Sequence, residues 1–304
     1  MAAPDHAPPA PLVVDLKRNS LDDGPGIRSV VFFKGCPLRC EWCQNPETLS
    51  PRAELQRLPE RCTGCRACEP ACPRGVARPG GLPQPEGCTA CGACVEVCVG
   101  DARRIAGRAW EPAALVEALL RDEPFHRASG GGVTLSGGEP TLFLEWVADL
   151  AARLAARGTH VLLETCGEFD GDRFCELLLP HLGAVYFDLK LDDPEEHRRR
   201  TGRDNRRIRE NLARLAREAP DRLLPRVPLV PGLTATPANL EALAAALRAL
   251  GLARVALLSY NPLWIAKRRA LGLDLPYAHA EWLPSGDVER CAEPFRRAGL
   301  EVTT

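Results

Sequence analysis

Cysteine is the residue of this sequence best suited to chemistry, with 14 in a chain of 304 residues. The first group is Cys36, Cys40 and Cys43, a C-x3-C-x2-C spacing that directly follows a run of β-branched and aromatic residues. Thiolates are good ligands for zinc and for iron–sulfur clusters. Zinc sites usually take four ligands from two separated pairs, so three cysteines on one short segment fit zinc poorly. The spacing predicts instead three corners of a [4Fe–4S] cube, whose fourth iron stays open to a substrate.

Two further groups share the spacing C-x2-C-x2-C-x3-C, which is the pattern of bacterial two-cluster ferredoxins. In that pattern the fourth cysteine of each run ligates the other cluster. We therefore predict one cube on Cys62, Cys65, Cys68 and Cys98, and a second on Cys88, Cys91, Cys94 and Cys72. Pro73 follows the first run and Val99 the second, a change that removes no ligand. The sequence allows these clusters either to relay electrons or only to shape the fold, because cluster potentials span more than a volt.

The charge of the chain argues against two classes of partner. Its net charge of −1 provides no basic surface for binding nucleic acid or a membrane surface. Residues 1–12 are rich in Pro and Ala, and we expect a disordered tail without a secretory signal. No run approaches the roughly 20 apolar residues that span a bilayer. In the cytoplasmic protein that we expect, many cysteines indicate metal ligation rather than disulfides.

Outside residues 54–108, short β-branched runs alternate with amphipathic helical runs, which is typical of repeated βα units and a parallel sheet. The six predicted strands cover residues 28–33, 133–136, 161–165, 184–189, 223–227 and 254–259. The clearest predicted helices cover residues 112–121, 144–157, 206–217 and 237–250. We predict an α/β fold in which residues 13–53 and 109–304 form a partial, TIM-like (β/α)6 barrel. Residues 54–108 are predicted to be an inserted ferredoxin-like domain for two [4Fe–4S] clusters.

Chemically useful side chains follow several predicted strands, where parallel barrels carry their active sites. Gly137, Gly138 and Glu139 follow the second strand. The glycines let the backbone approach a ligand and the glutamate offers an acceptor, although the same three residues also suit an ordinary turn. Asp188 and Lys190 lie two residues apart at the end of the fourth strand, so their side chains face the same side of it. The same spacing also fits an ordinary surface ion pair.

Arg226 closes the fifth predicted strand and brings a cation to the same rim. The alternative is that Arg226 is an ordinary arginine exposed to solvent.

Three cysteines, Cys166, Cys175 and Cys291, belong to none of the three groups. Free cysteines are usually small buried hydrophobes. Cys166 follows the third strand and so lies on the rim expected to carry the chemistry.

These motifs and their order resemble the radical S-adenosylmethionine (SAM) superfamily and, more narrowly, the glycyl-radical enzyme activating enzymes that carry an inserted two-cluster ferredoxin domain. The resemblance covers most of the chain. It lies at residues 22–47, 130–140, 188–190, His197, 201–202, Asn205, 226–228 and 231–232. It implies that SAM binds the open iron and is cleaved by one electron to a 5′-deoxyadenosyl radical. It also implies a glycyl-radical enzyme as the partner that loses a glycine hydrogen atom, and a flavodoxin or ferredoxin as the reductant.

The resemblance assigns SAM contacts to residues after several strands. It implies that Gly137, Gly138 and Glu139 contact the SAM amino group. It also implies that Asp188 and Lys190 hold SAM and shape the peptide pocket, and that Arg226 contacts the SAM carboxylate. The sequence departs from the family in two segments. Asn261 replaces a histidine that contacts SAM and Trp264 replaces a glycine, and Thr234 and Ala235 stand where the family usually has an Asn-Asp pair. Asparagine can hydrogen-bond adenine or ribose, so we expect Asn261 to contact SAM. We expect the bulky Trp264 to narrow the substrate entrance.

Three functions are consistent with the sequence. The first is an activating enzyme that acts on a glycyl-radical enzyme. The second is a stand-alone radical SAM enzyme that acts on a small molecule or on SAM itself, which the two departures favour. The third is a ferredoxin-like electron carrier. The open iron predicted at Cys36, together with Glu139, argues against the third, because an electron carrier has no need of a substrate position.

Overall fold

The structure, a computed structural model, describes residues 10–304. Its strands are β1 (Leu12–Ser20), β2 (Arg28–Phe33), β3 (Glu54–Arg57), β4 (Arg103–Ala106), β5 (Arg108–Ala109), β6 (Gly132–Gly137), β7 (His160–Thr165), β8 (Ala184–Asp188), β9 (Leu223–Leu229), β10 (Arg254–Ser259) and β11 (Glu301–Thr303). Its α-helices are α1 (Cys68–Ala71), α2 (Ala93–Glu96), α3 (Pro112–Leu120), α4 (Glu123–Ser129), α5 (Leu144–Ala155), α6 (Gly171–Leu177), α7 (Pro194–Thr201), α8 (Arg206–Glu218), α9 (Pro237–Ala249), α10 (Trp264–Leu271) and α11 (Ser285–Arg297). Residues 1–9 of the predicted tail lie outside the described range. Leu12, the last residue of that predicted tail, is the first residue of β1.

A nine-stranded mixed sheet forms the centre of the fold, in the order β11-β10-β9-β8-β7-β6-β2-β1-β5. The six predicted strands are confirmed as β2 and β6 to β10, which are neighbours paired in parallel. β11 extends the parallel part, whereas β1 and β5 add an antiparallel edge that the sequence reasoning missed. Central parallel strands are covered on both faces, which accounts for the nearly continuous burial of β2 and β6.

Helices cover the parallel strands and complete the hydrophobic core. The four predicted helices are confirmed as α3, α5, α8 and α9, with ends that agree to within two residues. In α5, Val147, Leu150 and Leu154 form an apolar stripe that packs in the same core as the sheet. No helix within residues 10–304 combines the length and the apolar character that crossing a bilayer requires.

Residues 54–106 form a small unit beside the central sheet, which we call the cysteine module. Its first and last segments, β3 and β4, pair antiparallel from Glu54 opposite Ala106 to Arg57 opposite Arg103. The two ends of the module therefore lie side by side, which lets it leave and rejoin the main chain at one place. A separate small core, with Leu55 and Ala77 at its centre, packs inside the module.

Lysine side chains and α10 join the cysteine module to the segment that carries Cys36, Cys40 and Cys43. The ammonium of Lys34 is fully buried and donates to the Glu47 carbonyl (2.8 Å) and the Glu54 carboxylate (2.5 Å). Lys267 on α10 donates to the Glu47 carboxylate (2.7 Å) and to Asn45 Oδ1 (3.0 Å). Helix α10 also packs against β3. A buried ammonium is costly without such acceptors, so these contacts fix the module in place.

Candidate active site

A cavity of about 310 Å³ lies at the carboxyl ends of the parallel strands, within the size range of pockets that hold small-molecule cofactors. Residues after all six central strands contribute to its wall. The wall contains nine of the residues that the sequence predicted for the site: Cys36, Cys40, Cys43, Gly137, Gly138, Asp188, Lys190, Arg226 and Asn261. Residues far apart in the sequence are brought together there because parallel strands end on one rim.

The segment from Cys36 to Cys43, which we call the cysteine loop, is held by backbone hydrogen bonds from two sides. The amides of Gly35 and Cys36 donate to the carbonyls of Thr48 (2.6 Å) and Leu49 (3.2 Å). On the other side, the Arg39 amide donates to the Thr201 carbonyl at the end of α7 (2.7 Å). These bonds satisfy a loop backbone that has no strand partner and so fix the three thiols at the cavity wall.

The thiols of the cysteine loop are largely buried. Burial raises the pKa of Cys40 to about 12 and raises the pKa of Cys43 well above its usual range. A hydrogen bond from the Cys166 thiol lowers the pKa of Cys36. The same hydrogen bond is the main cause that raises the pKa of Cys166, and burial is the second cause. Buried thiols of this kind lose their protons when they bind a metal. Three thiols from one loop at one cavity wall fit a [4Fe–4S] cluster with one open iron.

Glycine is required at positions 137 and 138 because the backbone there lies very close to the backbone of residues 33–35. Gly137 has φ +109°, and a Cβ there would lie 2.4 Å from the backbone nitrogen and oxygen of Phe33. A Cβ on Gly138 would lie 2.1 Å from the carbonyl oxygen of Gly35. The glycines therefore let the end of β6 pack against the start of the cysteine loop, and both still border the cavity.

Glu139 lies next to the cavity but does not line it. Its side chain is fully buried behind the cavity wall rather than exposed on it. Its carboxylate accepts hydrogen bonds from the Cys166 amide (2.7 Å), the Thr165 hydroxyl (3.0 Å) and the Thr141 hydroxyl (2.7 Å). Glu139 thereby holds the end of β7 against the turn that follows β6. Its expected contact with the SAM amino group stays a prediction.

Charged side chains line the cavity beyond the cysteine loop. Arg226 donates from Nε to the Asp188 carboxylate (2.8 Å) and from Nη1 to Glu164 (2.5 Å). Burial alone would lower the pKa of Arg226, but the two carboxylates outweigh it and the pKa is raised. The pKa of Lys190 is also raised, since burial is outweighed by Asp188, 3.7 Å away, and by the nearby cysteines. Arg226 is thus bound to two protein carboxylates, and its expected contact with the SAM carboxylate stays a prediction.

Sequence reasoning assigned no role to Glu164, which also lies on the cavity wall. Ser136 donates to the second oxygen of Glu164 (2.5 Å), so Glu164 joins β6, β7 and Arg226. The sequence does carry a signal for Glu164, because a carboxylate stands in an otherwise apolar run that forms a central parallel strand.

The segment after β10 places Asn261 on the cavity wall but Trp264 away from it. Asn261 accepts from the Leu263 amide through Oδ1 (3.3 Å). Trp264 is fully buried, donates to the Tyr260 hydroxyl (3.1 Å) and stacks on Tyr277. The expectation that Trp264 narrows the entrance is therefore wrong, because the indole completes an aromatic cluster inside the core.

The eight cysteines of the module border two separate cavities. One cavity is bordered by Cys62, Cys65, Cys68 and Cys98, and the other by Cys72, Cys88, Cys91 and Cys94. Each set combines three cysteines of one run with the last cysteine of the other run. Within residues 10–304, no three His, Cys, Asp or Glu side chains are close enough to hold a single metal ion, and the thiols instead surround a space.

The radical SAM superfamily model matches residues 30–239. The chain belongs to the radical SAM superfamily, whose cofactors are SAM and at least one [4Fe–4S] cluster. It is 36% identical to the benzylsuccinate synthase activating enzyme of Thauera aromatica, over 96% of this chain and 92% of that protein. It is 39% identical to the trans-4-hydroxy-L-proline dehydratase activating enzyme of Clostridioides difficile, over 83% and 84% of the two chains. It is also 33% identical to the pyruvate formate-lyase 2-activating enzyme of Escherichia coli K12, over 96% and 91%.

Proposed function

We propose that this protein is the activating enzyme of a glycyl-radical enzyme. In this proposal it cleaves SAM reductively to a 5′-deoxyadenosyl radical, which takes a hydrogen atom from one backbone glycine of the partner. The observation that carries the proposal is the alignment with activating enzymes over more than 90% of both chains. The position of the cysteine loop on a cavity at the rim of the parallel strands supports it further.

The residues of the cysteine loop have one role in this proposal, which is to hold a [4Fe–4S] cluster through the thiolates of Cys36, Cys40 and Cys43. When bound, that cluster supplies an open iron for SAM and the electron that breaks the sulfonium bond. The hydrogen bonds that the Arg39 and Gly35 amides donate to the carbonyls of Thr201 and Thr48 keep the three thiols in place.

The charged wall of the cavity binds and orients SAM. Arg226 holds the side chains of Asp188 and Glu164 in place, and carboxylate lone pairs not used by Arg226 are suited to the SAM ammonium group. Lys190 provides a cation for the SAM carboxylate on the same wall. The backbone of Gly137 and Gly138 contributes the edge of the cavity next to the cysteine loop.

The finer architecture belongs to the same proposal. The central sheet with its helices is the partial (β/α)6 barrel, and the cysteine module is a ferredoxin-like insertion with two further [4Fe–4S] clusters. The two four-cysteine cavities support that assignment, because they reproduce the crossed ligand sets of two-cluster ferredoxins. A flavodoxin or ferredoxin would supply electrons in the cytoplasm, where thiols stay reduced.

The test compares SAM cleavage with and without the partner. Reduced enzyme is mixed with SAM alone, or with SAM and a glycyl-radical enzyme encoded beside its gene, and 5′-deoxyadenosine is measured. The partner should stimulate turnover, and the doublet of a glycyl radical should appear on it in electron paramagnetic resonance (EPR) spectra. Abundant turnover without a protein partner, with a modified small molecule or a rearranged SAM as product, would refute the activating role.

Cysteine variants test the catalytic assignment. The triple change Cys36→Ala, Cys40→Ala, Cys43→Ala should lower the iron content from about twelve to about eight per chain, since one four-iron cube is lost. It should also abolish 5′-deoxyadenosine formation. Cys291→Ala on α11, outside all three cysteine groups, is the matched control and should keep both. SAM cleavage by the triple variant would show that the reacting cluster lies elsewhere.

A further inference from the structure

A buried arginine lies between the two cavities of the cysteine module. Arg103 on β4 is 5% exposed and borders both cavities. Its Nη1 donates toward the sulfur of Cys94 at 3.8 Å, and its Nη2 toward the sulfur of Cys68 at 3.6 Å. Cys94 belongs to one four-cysteine set and Cys68 to the other. One guanidinium therefore touches both predicted cluster sites.

The surroundings of Arg103 hold it in this position. Nη2 also donates to the carbonyl of Arg78 (2.6 Å), and the pairing of β3 with β4 fixes the backbone beside Arg57. The contacts of the guanidinium within residues 10–304 are to two sulfurs and one carbonyl. A buried cation without a carboxylate beside it is costly unless another negative charge lies close by. Thiolates that ligate two clusters would provide that charge.

We propose that Arg103 sets the reduction potentials of both clusters of the module, an inference that rests on the two-cluster part of the proposed function. Hydrogen bonds to ligand sulfurs and the local charge are the main means by which a protein tunes a cluster. Each cluster gains one negative charge when it accepts one electron from an external reductant. A fixed positive charge beside Cys68 and Cys94 favours the reduced state of both and screens the two charges from each other. Arg103 thus raises both potentials together.

The experiment is an EPR-monitored redox titration of the full chain in which Cys36, Cys40 and Cys43 are changed to Ala, so that only the module clusters give signals. Arg103→Gln should move both midpoint potentials negative by 59 mV or more, which is a tenfold change for a one-electron couple. Arg103→Lys keeps the charge and should recover most of that shift. Arg104→Gln on the same strand, where the side chain is exposed, should leave both potentials unchanged.

Iron content separates the possible failures. If the triple-cysteine chain with native Arg103 binds no iron, the two-cluster assignment fails before Arg103 is tested. If Arg103→Gln binds about eight irons per chain, which is two four-iron cubes, and its potentials are unchanged, the tuning role is overturned and the two-cluster assignment stands. Equal shifts in Arg103→Gln and Arg104→Gln would also overturn it. Loss of iron from both the Gln and the Lys variants would assign Arg103 a structural role instead.

Discussion

Charged side chains around the cavity are arranged so that each buried charge meets an opposite charge or a set of donors. Arg226 is held between Asp188 and Glu164, and Glu139 is held by hydroxyl and amide donors. Truncating one member of such a network leaves the others buried and unsatisfied, which is the costly outcome. The charged residues of the cavity wall therefore hold one another in position, and Glu139 fixes the turn behind them.

Glu139→Gln tests this at a single residue. The groups that face the carboxylate of Glu139 are donors, so the amide nitrogen of a glutamine would face a donor and leave it unsatisfied. We expect the variant to lose about 1–3 kcal/mol of stability, seen as a lower melting temperature in calorimetry. Glu117→Gln, on the exposed face of α3, is the control and should have little effect. Weaker SAM binding at an unchanged melting temperature would instead restore the direct SAM contact expected from the sequence.

At the scale of elements, the end of β6 is packed against the start of the cysteine loop. The amides of Gly138 and Glu139 donate to the carbonyls of Phe33 (2.9 Å) and Gly35 (2.7 Å). This packing leaves no room for a side chain at Gly138. The position of the thiols therefore depends on a neighbouring strand as well as on their own loop.

Gly138→Ala tests that dependence. The added methyl would overlap the Gly35 carbonyl, so the cysteine loop must move. We expect the iron content to fall from about twelve toward about eight per chain, with the module clusters kept. Gly286→Ala in α11 is the matched control, because its Cβ would meet only the tip of Arg290 at 3.9 Å. Full iron content and full SAM cleavage in Gly138→Ala would contradict the account.

Whether the sequence predicts a helix or strand depends on what stabilises that element. The six parallel strands and four amphipathic helices have periodic apolar patterns, and all ten are confirmed. β1 was missed because its buried and exposed positions do not alternate and its pairing with β2 shifts register. The orientation of Glu139 was missed because the turn at Pro140 directs its side chain inward, which residue type alone does not encode. The spacing of the module cysteines predicted two sets of four, and each set borders a cavity of its own.

At the scale of the whole molecule, the cysteine module and the cavity are linked through one segment. Glu47 accepts from the buried Lys34 through its carbonyl and from Lys267 through its carboxylate, and it lies four residues after Cys43. Helix α10, which carries Lys267, also packs against β3 of the module. The module is therefore held against the cysteine loop through this short segment.

Removing one module cluster distinguishes a relay from a structural role. With Cys62, Cys65, Cys68 and Cys98 changed to Ala, a relay predicts that a strong chemical reductant still supports SAM cleavage. With reduced flavodoxin or ferredoxin, cleavage should fall about tenfold or more, because the electron path is interrupted. The measurement is 5′-deoxyadenosine formation with each reductant, on protein shown to be folded by circular dichroism. An equal loss with both reductants would support a purely structural module.

The pairing of β3 with β4 also has an evolutionary consequence. Because Leu58 donates to the Ala102 carbonyl (2.9 Å), the chain is closed into a stem before the first cysteine run begins. Residues beyond that stem can be gained, lost or exchanged in a gene without moving the strands on either side. The stem itself is not free to change, since Glu54 binds the buried Lys34, and a Cβ on Gly107 would lie 2.8 Å from the Lys34 side chain. Recombination within this lineage is therefore expected to fall between residues 58 and 102, with the stem inherited together with the cysteine loop.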